Sequence, residues 1–288
     1  MKNRKKLLVI MPLVIIMSGV LLGIIGLLGG AVSKYKEQLE FTDFEANIQS
    51  GSIFNLDIDI SLANVNLIST NELTDFKIEA NDVTKDLINY TTTNNTLKLR
   101  YEMQKWYHAI YAPAYRSKNG SINIYIPASI KLSDVEVEAS YGDISINYLT
   151  ADRVFVTSGD GNCNIKGMNC SYTNITDKDG DFKSVNISAE NADLHLSNDN
   201  AILNNFVSSS LIMESHGTDV DFSGIITGNS GFSAIGGDVN VTMYGAVSDY
   251  SFELLEGDSL VNDKEPSVNK KAEYTIKLNG DINVSVKD

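Results

Sequence analysis

A short unit, Gly-Asp followed by alternating apolar residues, recurs through the second half of the chain and narrows its possible folds more than any other feature. The clear copies are Gly142-Asp143-Ile144-Ser145-Ile146, Gly237-Asp238-Val239-Asn240-Val241 and Gly280-Asp281-Ile282-Asn283-Val284. Looser copies stand at Gly159-Asp160 and Gly180-Asp181, and degenerate ones at Ala192-Asp193-Leu194 and Thr218-Asp219-Val220. Glycine supplies left-handed backbone at a bend, and Asp can bond its own backbone there, so the pair is first a turn device. The residues after it alternate with period 2, the mark of a strand with one buried face. The same alternation runs through Phe54, Leu56, Ile58, Ile60 and Leu62, and returns at Ile122, Ile124 and Ile126 and at Val135 and Val137.

The Asp residues of successive copies are spaced by 17 (Asp143 to Asp160), 21 (Asp160 to Asp181), 19 (Asp219 to Asp238) and 43 (Asp238 to Asp281), and the last gap would hold two units. A repeat of about twenty residues signals an array in which each unit buries its apolar face only against its neighbours. The expected fold is all-β, a parallel β-solenoid or β-helix of ~20-residue repeats. An antiparallel β-sandwich competes, because Asn279-Gly280 between Tyr274-Thr275-Ile276 and Ile282-Asn283-Val284 is a good hairpin signal. The repeat length favours stacked coils.

From Leu7 to Val32 no residue is charged. A helix of that run, at about 1.5 Å per residue, outreaches the roughly 30 Å hydrocarbon core of a bilayer. Lys2, Arg4, Lys5 and Lys6 precede it, and an excess of basic residues marks the cytoplasmic side. The expectation is a single-pass plasma-membrane protein: residues 1–6 a cytoplasmic basic flank, 7–32 a transmembrane helix, 33–50 a juxtamembrane stalk and 51–288 an extracellular β-repeat domain. Ala31-Val32-Ser33 is a passable cleavage site, but a signal segment usually carries a shorter apolar run of about 7 to 15 residues.

Setting the four leading basic residues aside leaves 19 Lys+Arg against 37 Asp+Glu, so the exported part carries −18. That sign repels phosphate backbones and argues against nucleic-acid binding. Cys163 and Cys170 are the only cysteines, too few for a disulfide framework. They could bridge locally or serve as two buried apolar fillers. Neither has a second Cys or a His at zinc-ligand spacing.

Candidate sites are sparse. Carboxylates stacked in register at about 4.8 Å repel by roughly 0.9 kcal/mol even in water, and a calcium ion would relieve a ladder of them. The richest cluster is Asp177-Lys178-Asp179-Gly180-Asp181, with Asp177, Asp179 and Asp181 as candidate ligands; it departs from the EF-hand pattern at Phe182 and Ser188. Turn chemistry explains the same residues without an ion. One segment breaks the polar alternation: Tyr101, Trp106, Tyr107, Tyr111 and Tyr115, among Lys105, Arg116 and Lys118. These aromatics could stack on sugar rings or sit at lipid headgroups, or cover an open end of the solenoid. His108, His195 and His216 are scattered, and Gly228-Asn229-Ser230-Gly231 lacks the spacing of a nucleophile elbow.

Through Ser121-Ile122-Asn123-Ile124-Tyr125-Ile126-Pro127, Leu132 to Glu138 and the Gly-Asp repeats, the chain resembles the bacterial β-strand-repeat domain of unknown function often labelled "putative adhesin". The likeness covers roughly Phe54 to Val286. It implies an N-terminal membrane anchor and a cell-envelope setting in Gram-positive bacteria, and it carries no catalytic residues. The copies degenerate between Glu190 and Gly217, which speaks against uniform stacking there. The functional expectation is a non-catalytic surface-display, adhesion or scaffolding module whose partner is a cell-envelope protein or glycan. A polysaccharide-active enzyme on a β-helix and a pure spacer are the alternatives; two carboxylates converging in an aromatic-walled groove would favour the enzyme.

Overall fold

A computed structural model describes residues 40–102, 120–197, 199–262, 264, 267–269 and 272–287, together with Gly19. These residues form nineteen strands joined in one sheet. In chain order they are β1 (Phe41–Ile48), β2 (Asn55–Ile60), β3 (Asn64–Thr70), β4 (Phe76–Thr84), β5 (Ile88–Thr93), β6 (Thr96–Tyr101), β7 (Ser121–Pro127), β8 (Leu132–Ala139), β9 (Ile144–Ser158), β10 (Cys163–Asp177), β11 (Phe182–Ser197), β12 (Asn200–His216), β13 (Asp219–Ile226), β14 (Ser230–Ile235), β15 (Val239–Tyr244), β16 (Tyr250–Glu256), β17 (Leu260–Val261), β18 (Tyr274–Asn279) and β19 (Ile282–Lys287).

The centre is a parallel solenoid of constant register. Ile144 pairs with Cys163, Cys163 with Phe182, Phe182 with Ala201, Ala201 with Val220 and Val220 with Val239. The step is 19 residues each time, as in the cross-coil bond from Asn162 to Asp143. Each long strand turns a corner at a left-handed residue, Tyr148, Gly167, Asn186 and Asn205 in successive coils, with φ of 60°, 70°, 59° and 55°. A first face (144–147 in β9 and its equivalents) precedes this corner and a second face (153–158) follows it. Alternate side chains point inward. Val156, Ile175, Leu194, Met213, Phe232 and Leu278 form one continuous buried column under the second face, each worth about 1.5–3 kcal/mol of burial.

Glycine is demanded where one coil's turn rests on the next. A Cβ on Gly142 would lie 1.9 Å from the Ala63 carbonyl oxygen, and one on Gly161 2.1 Å from that of Gly142. Only a bare α-carbon permits that approach.

Both ends depart from simple winding. At the start, β2 lies between β6 and β8, and β3 between β7 and β9, all parallel. Antiparallel β4 then pairs with β7 and β1, and β5 with β6. At the finish, β18 lies between β14 and β16, and β19 between β15 and β17. The last strands of the chain are thus threaded between earlier ones.

Several sequence expectations change accordingly. The 43-residue gap does hold two units, β15–β16 and β17–β18, but they do not stack between its ends: Val239 pairs directly with Ile282, and β17 lies outside β19. Asn279-Gly280 closes no hairpin, since β18 and β19 lie on different faces and pair with other strands; Gly280, at φ 103°, makes a corner. From Glu190 to Gly217 the stacking of β11 on β12 stays in register, but β12 slips by one residue against β13 between Asn204 and Phe206, so the expected irregularity is present on that side. Phe41–Ile48 is strand rather than stalk, with Ala46 buried and Phe44 and Ile48 packed on the core, so the β domain begins about ten residues earlier than Gly51. No helix among the described residues is long and apolar enough to cross a membrane, and the span expected at 7–32 lies outside them apart from Gly19. Cys163 and Cys170 are free and buried, and burial pushes the Cys170 thiol up to about 12. Of the two readings left open for them, apolar filling is the one observed.

Candidate binding groove

The corner that opens each coil carries an Asn or Asp every nineteen residues: Asn64, then Asp143, Asn162, Asp181, Asn200, Asp219 and Asp238. Their side chains tie coil to coil. Asp143 donates its backbone N–H to Asn64 Oδ1 at 2.9 Å, Asn162 to Asp143 Oδ1 at 2.8 Å, and Asp181 to Asn162 Oδ1 at 3.1 Å. Asn200 donates to Asp181 Oδ1 at 3.4 Å and Asp238 to Asp219 Oδ1 at 2.8 Å. Asp258 repeats the bond to Asp281 at 2.8 Å. From Asp143 to Asp219, an amide donor on each carboxylate and Asn alternating with Asp relieve the crowding of charge that suggested calcium.

Two residues along the first face, a second outward column runs parallel: Asn164, Lys183, Ile202, Asp221 and Asn240. Between the columns lies a groove of about 670 Å³, lined from Asn162 to Asp238 by both. It crosses five coils, so at about 4.8 Å per rung it extends roughly 19 Å along the solenoid axis. Asp181, Asp219, Asp221 and Asp238 give it acceptor-rich walls with Lys183 as the cation and Ile202 as an apolar contact. Among the described residues Phe182 is the only aromatic lining it, and it is buried. The groove can accept hydrogen bonds from an extended ligand carrying hydroxyl, amide or ammonium donors.

The second face bears a different strip. Arg153 holds Asp134 through two bonds of 2.5 and 2.9 Å. The rings of Phe155 and Tyr172 meet at 5.7 Å, the Tyr172 hydroxyl donates to Asp193 at 2.7 Å, and His195 Nδ1 lies 3.1 Å from Glu214. These contacts interlock the side chains of adjacent coils.

The structure does not bring Asp177, Asp179 and Asp181 together. Asp177 ends β10 facing inward, 2% exposed, with one carboxyl oxygen unpartnered. Burial, with Asp199, Asp179 and Asp181 adding to it and a Ser158 hydrogen bond opposing, raises its carboxyl to about 7. Asp179 and Asp181 are exposed, and Asp181 belongs to the groove. Among the described residues no three acidic, histidine or cysteine side chains are grouped to hold a metal ion. Trp106, Tyr107, Tyr111 and Tyr115 lie outside the described residues. The groove was missed because the Gly-Asp pattern selected Asp160 and passed over Asn162; an Asn/Asp search at a step of nineteen would have found it.

The family model described as Toastrack DUF4097 matches residues 34–288. The chain belongs to that family. Among solved structures, this Toastrack chain is similar to a "putative adhesin" from Bacteroides fragilis, at 18% identity over 85% of this chain and 97% of the other, with a TM-score of 0.52. It is also matched by a "putative adhesin" from Parabacteroides merdae, at 11% identity over 86% and 97% of the two chains and a TM-score of 0.41. A "putative lipid binding protein" from Parabacteroides distasonis matches at 10% identity over 86% and 96%, with a TM-score of 0.44. No curated protein matches this Toastrack chain.

Proposed function

We propose that this Toastrack chain is a non-catalytic binding and display module, held at a bacterial plasma membrane by residues 7–32 with its solenoid outside. The groove between the two outward columns carries this reading: five coils in fixed register present a row of hydrogen-bonding side chains that no element among the described residues covers. A rigid row of this kind suits an extended cell-envelope partner, a glycan or a protein strand. The adhesin description of the Bacteroides fragilis structure agrees with binding at that coarse level. An enzyme reading would need carboxylates facing each other under aromatic walls, and Phe182 is buried in the floor.

Crosslinking on intact cells tests the proposal. The full-length chain should capture a defined envelope protein or glycan, and Asn164→Ala with Asp221→Ala should reduce the yield by about tenfold, roughly 1.4 kcal/mol of binding. Equal capture by the double variant would remove the groove from the account, and no capture by either would favour a spacer. The mass of the mature chain decides between anchor and cleaved signal.

A further inference from the structure

Parallel sheets that end in water leave backbone donors and acceptors open to another strand, and proteins usually guard such edges with charge, proline, bulges or a covering loop. Among the described residues four strands have a neighbour on one side only, and three of them are guarded. β1 carries Asp43 and Glu45 and slips register between Thr42 and Phe44. β16 slips between Leu254 and Glu256 and is crossed by a loop, Phe252 N–H donating to Ser267 O at 3.3 Å and Asn269 N–H to Ser251 Oγ at 3.0 Å. β17 is two residues long and its Val261 bonds Lys264 on both sides of a bridge.

Among the described residues, β5 has none of these protections. Ile88-Asn89-Tyr90-Thr91-Thr92-Thr93 is uncharged, contains no proline, makes six unbroken antiparallel pairs with β6, and is exposed from Asn89 onward. Its threonines and tyrosine are good strand formers. The pairing phase tells which groups are open. The Asn95 and Tyr101 carbonyls accept bonds from Asn55 and Ser61 on the β2 side, so Thr96, Lys98 and Arg100 bond towards β5. Their partners Thr93, Thr91 and Asn89 therefore turn inward, leaving the N–H and C=O of Ile88, Tyr90 and Thr92 pointing outward.

That set is self-complementary. A two-fold axis at Tyr90 places Tyr90 opposite its counterpart and Ile88 opposite Thr92 twice, which uses every open donor and acceptor of the strand. Elsewhere the exported part, at −18, repels a second copy; along β5 no carboxylate opposes approach. We propose that the chain forms a two-fold dimer by antiparallel pairing of β5 with β5 of a second copy, joining two solenoids through one continuous second-face sheet.

Sedimentation of the full-length chain in detergent tests this. A concentration-dependent dimer is expected. Thr92→Pro, which deletes an outward N–H that β6 does not use, should raise the dimer dissociation constant by about tenfold or more. Tyr90→Lys, which sets two ammonium groups face to face, should do the same should the proline disturb the hairpin. Tyr90→Cys should give a disulfide-linked dimer on oxidation, uncomplicated by the buried native cysteines. A chain that sediments as monomer at every concentration, or a dimer indifferent to both Thr92→Pro and Tyr90→Lys, overturns the proposal. Loss of the dimer with capture on cells intact would leave the groove reading standing.

Discussion

The central coils and the two ends of this solenoid hold the same sheet by different means. From β9 to β12 the chain winds in sequence, nineteen residues to a turn, with neighbours adjacent in the chain. At the ends the order breaks, and β2 and β18 are inserted between strands distant in sequence. The regular centre also carries the poorer core: of the four buried side-chain atoms lacking a hydrogen-bond partner among the described residues, those of Thr173, Asp177 and Ser184 lie in β10 and β11. Regular winding therefore does not depend on an ideal interior, because the backbone ladder and the corner Asn/Asp bonds keep register. Threading gives the inserted strands β2, β3, β18 and β19 two neighbours each and passes the open edges to β1, β5, β16 and β17.

The largest effects should come from one column of the core. Leu194 in β11 and Leu278 in β18 occupy equivalent positions and are both fully buried. Leu194→Ala and Leu278→Ala should each cost about 3 kcal/mol in urea unfolding, with equal effect and a single transition if threading makes the end part of one cooperative unit. A separate early transition for Leu278→Ala would show that the end frays independently.

The buried Asp177 comes next. Its folded-state carboxyl, at about 7, lies above the ordinary value of 3.8, so the folded chain holds a proton that the unfolded chain gives up across that window. The penalty is absent below about pH 4, grows as pH rises and is complete above about 7. Asp177→Asn should therefore stabilise the fold by about 2–4 kcal/mol at pH 8 and by little at pH 4. A constant difference across that range in paired denaturation curves would show that the carboxyl is not protonated in the core.

Smaller effects should separate corner from surface. Asp143→Ala removes the acceptor of the Asn162 N–H and should cost about 1 kcal/mol by thermal unfolding. Arg153→Ala breaks an exposed pair, with side chains 58% and 37% exposed, and should cost less than about 0.5 kcal/mol. Reversed magnitudes would mean that outward ion pairs, rather than the corner ladder, hold the coils together.

The legible parts of the fold were those written in local pattern. Alternation at Ile144, Ile146, Val239 and Val241 disclosed strands, and the recurring turns disclosed a repeat close to its true nineteen. The groove is half visible, through Asp181, Asp219 and Asp238, while a search for Asp passes over Asn162, whose amide oxygen accepts the Asp181 N–H as a carboxylate would, and Asn200, whose amide donates to Asp181 Oδ1. Position alone could not show that Asp177 points inward, because it shares its acidic run with exposed Asp179 and Asp181.

What the sequence determined by itself is the all-β solenoid and its approximate period, since each unit carries its own turn and its own apolar stripe. Only the tertiary structure decided which strands become neighbours at the ends. Val239 meets Ile282 across a 43-residue excursion, and among the described residues β5 pairs on one side only. Such pairings depend on which apolar faces remain uncovered after the coils have stacked, and no local residue pattern records that.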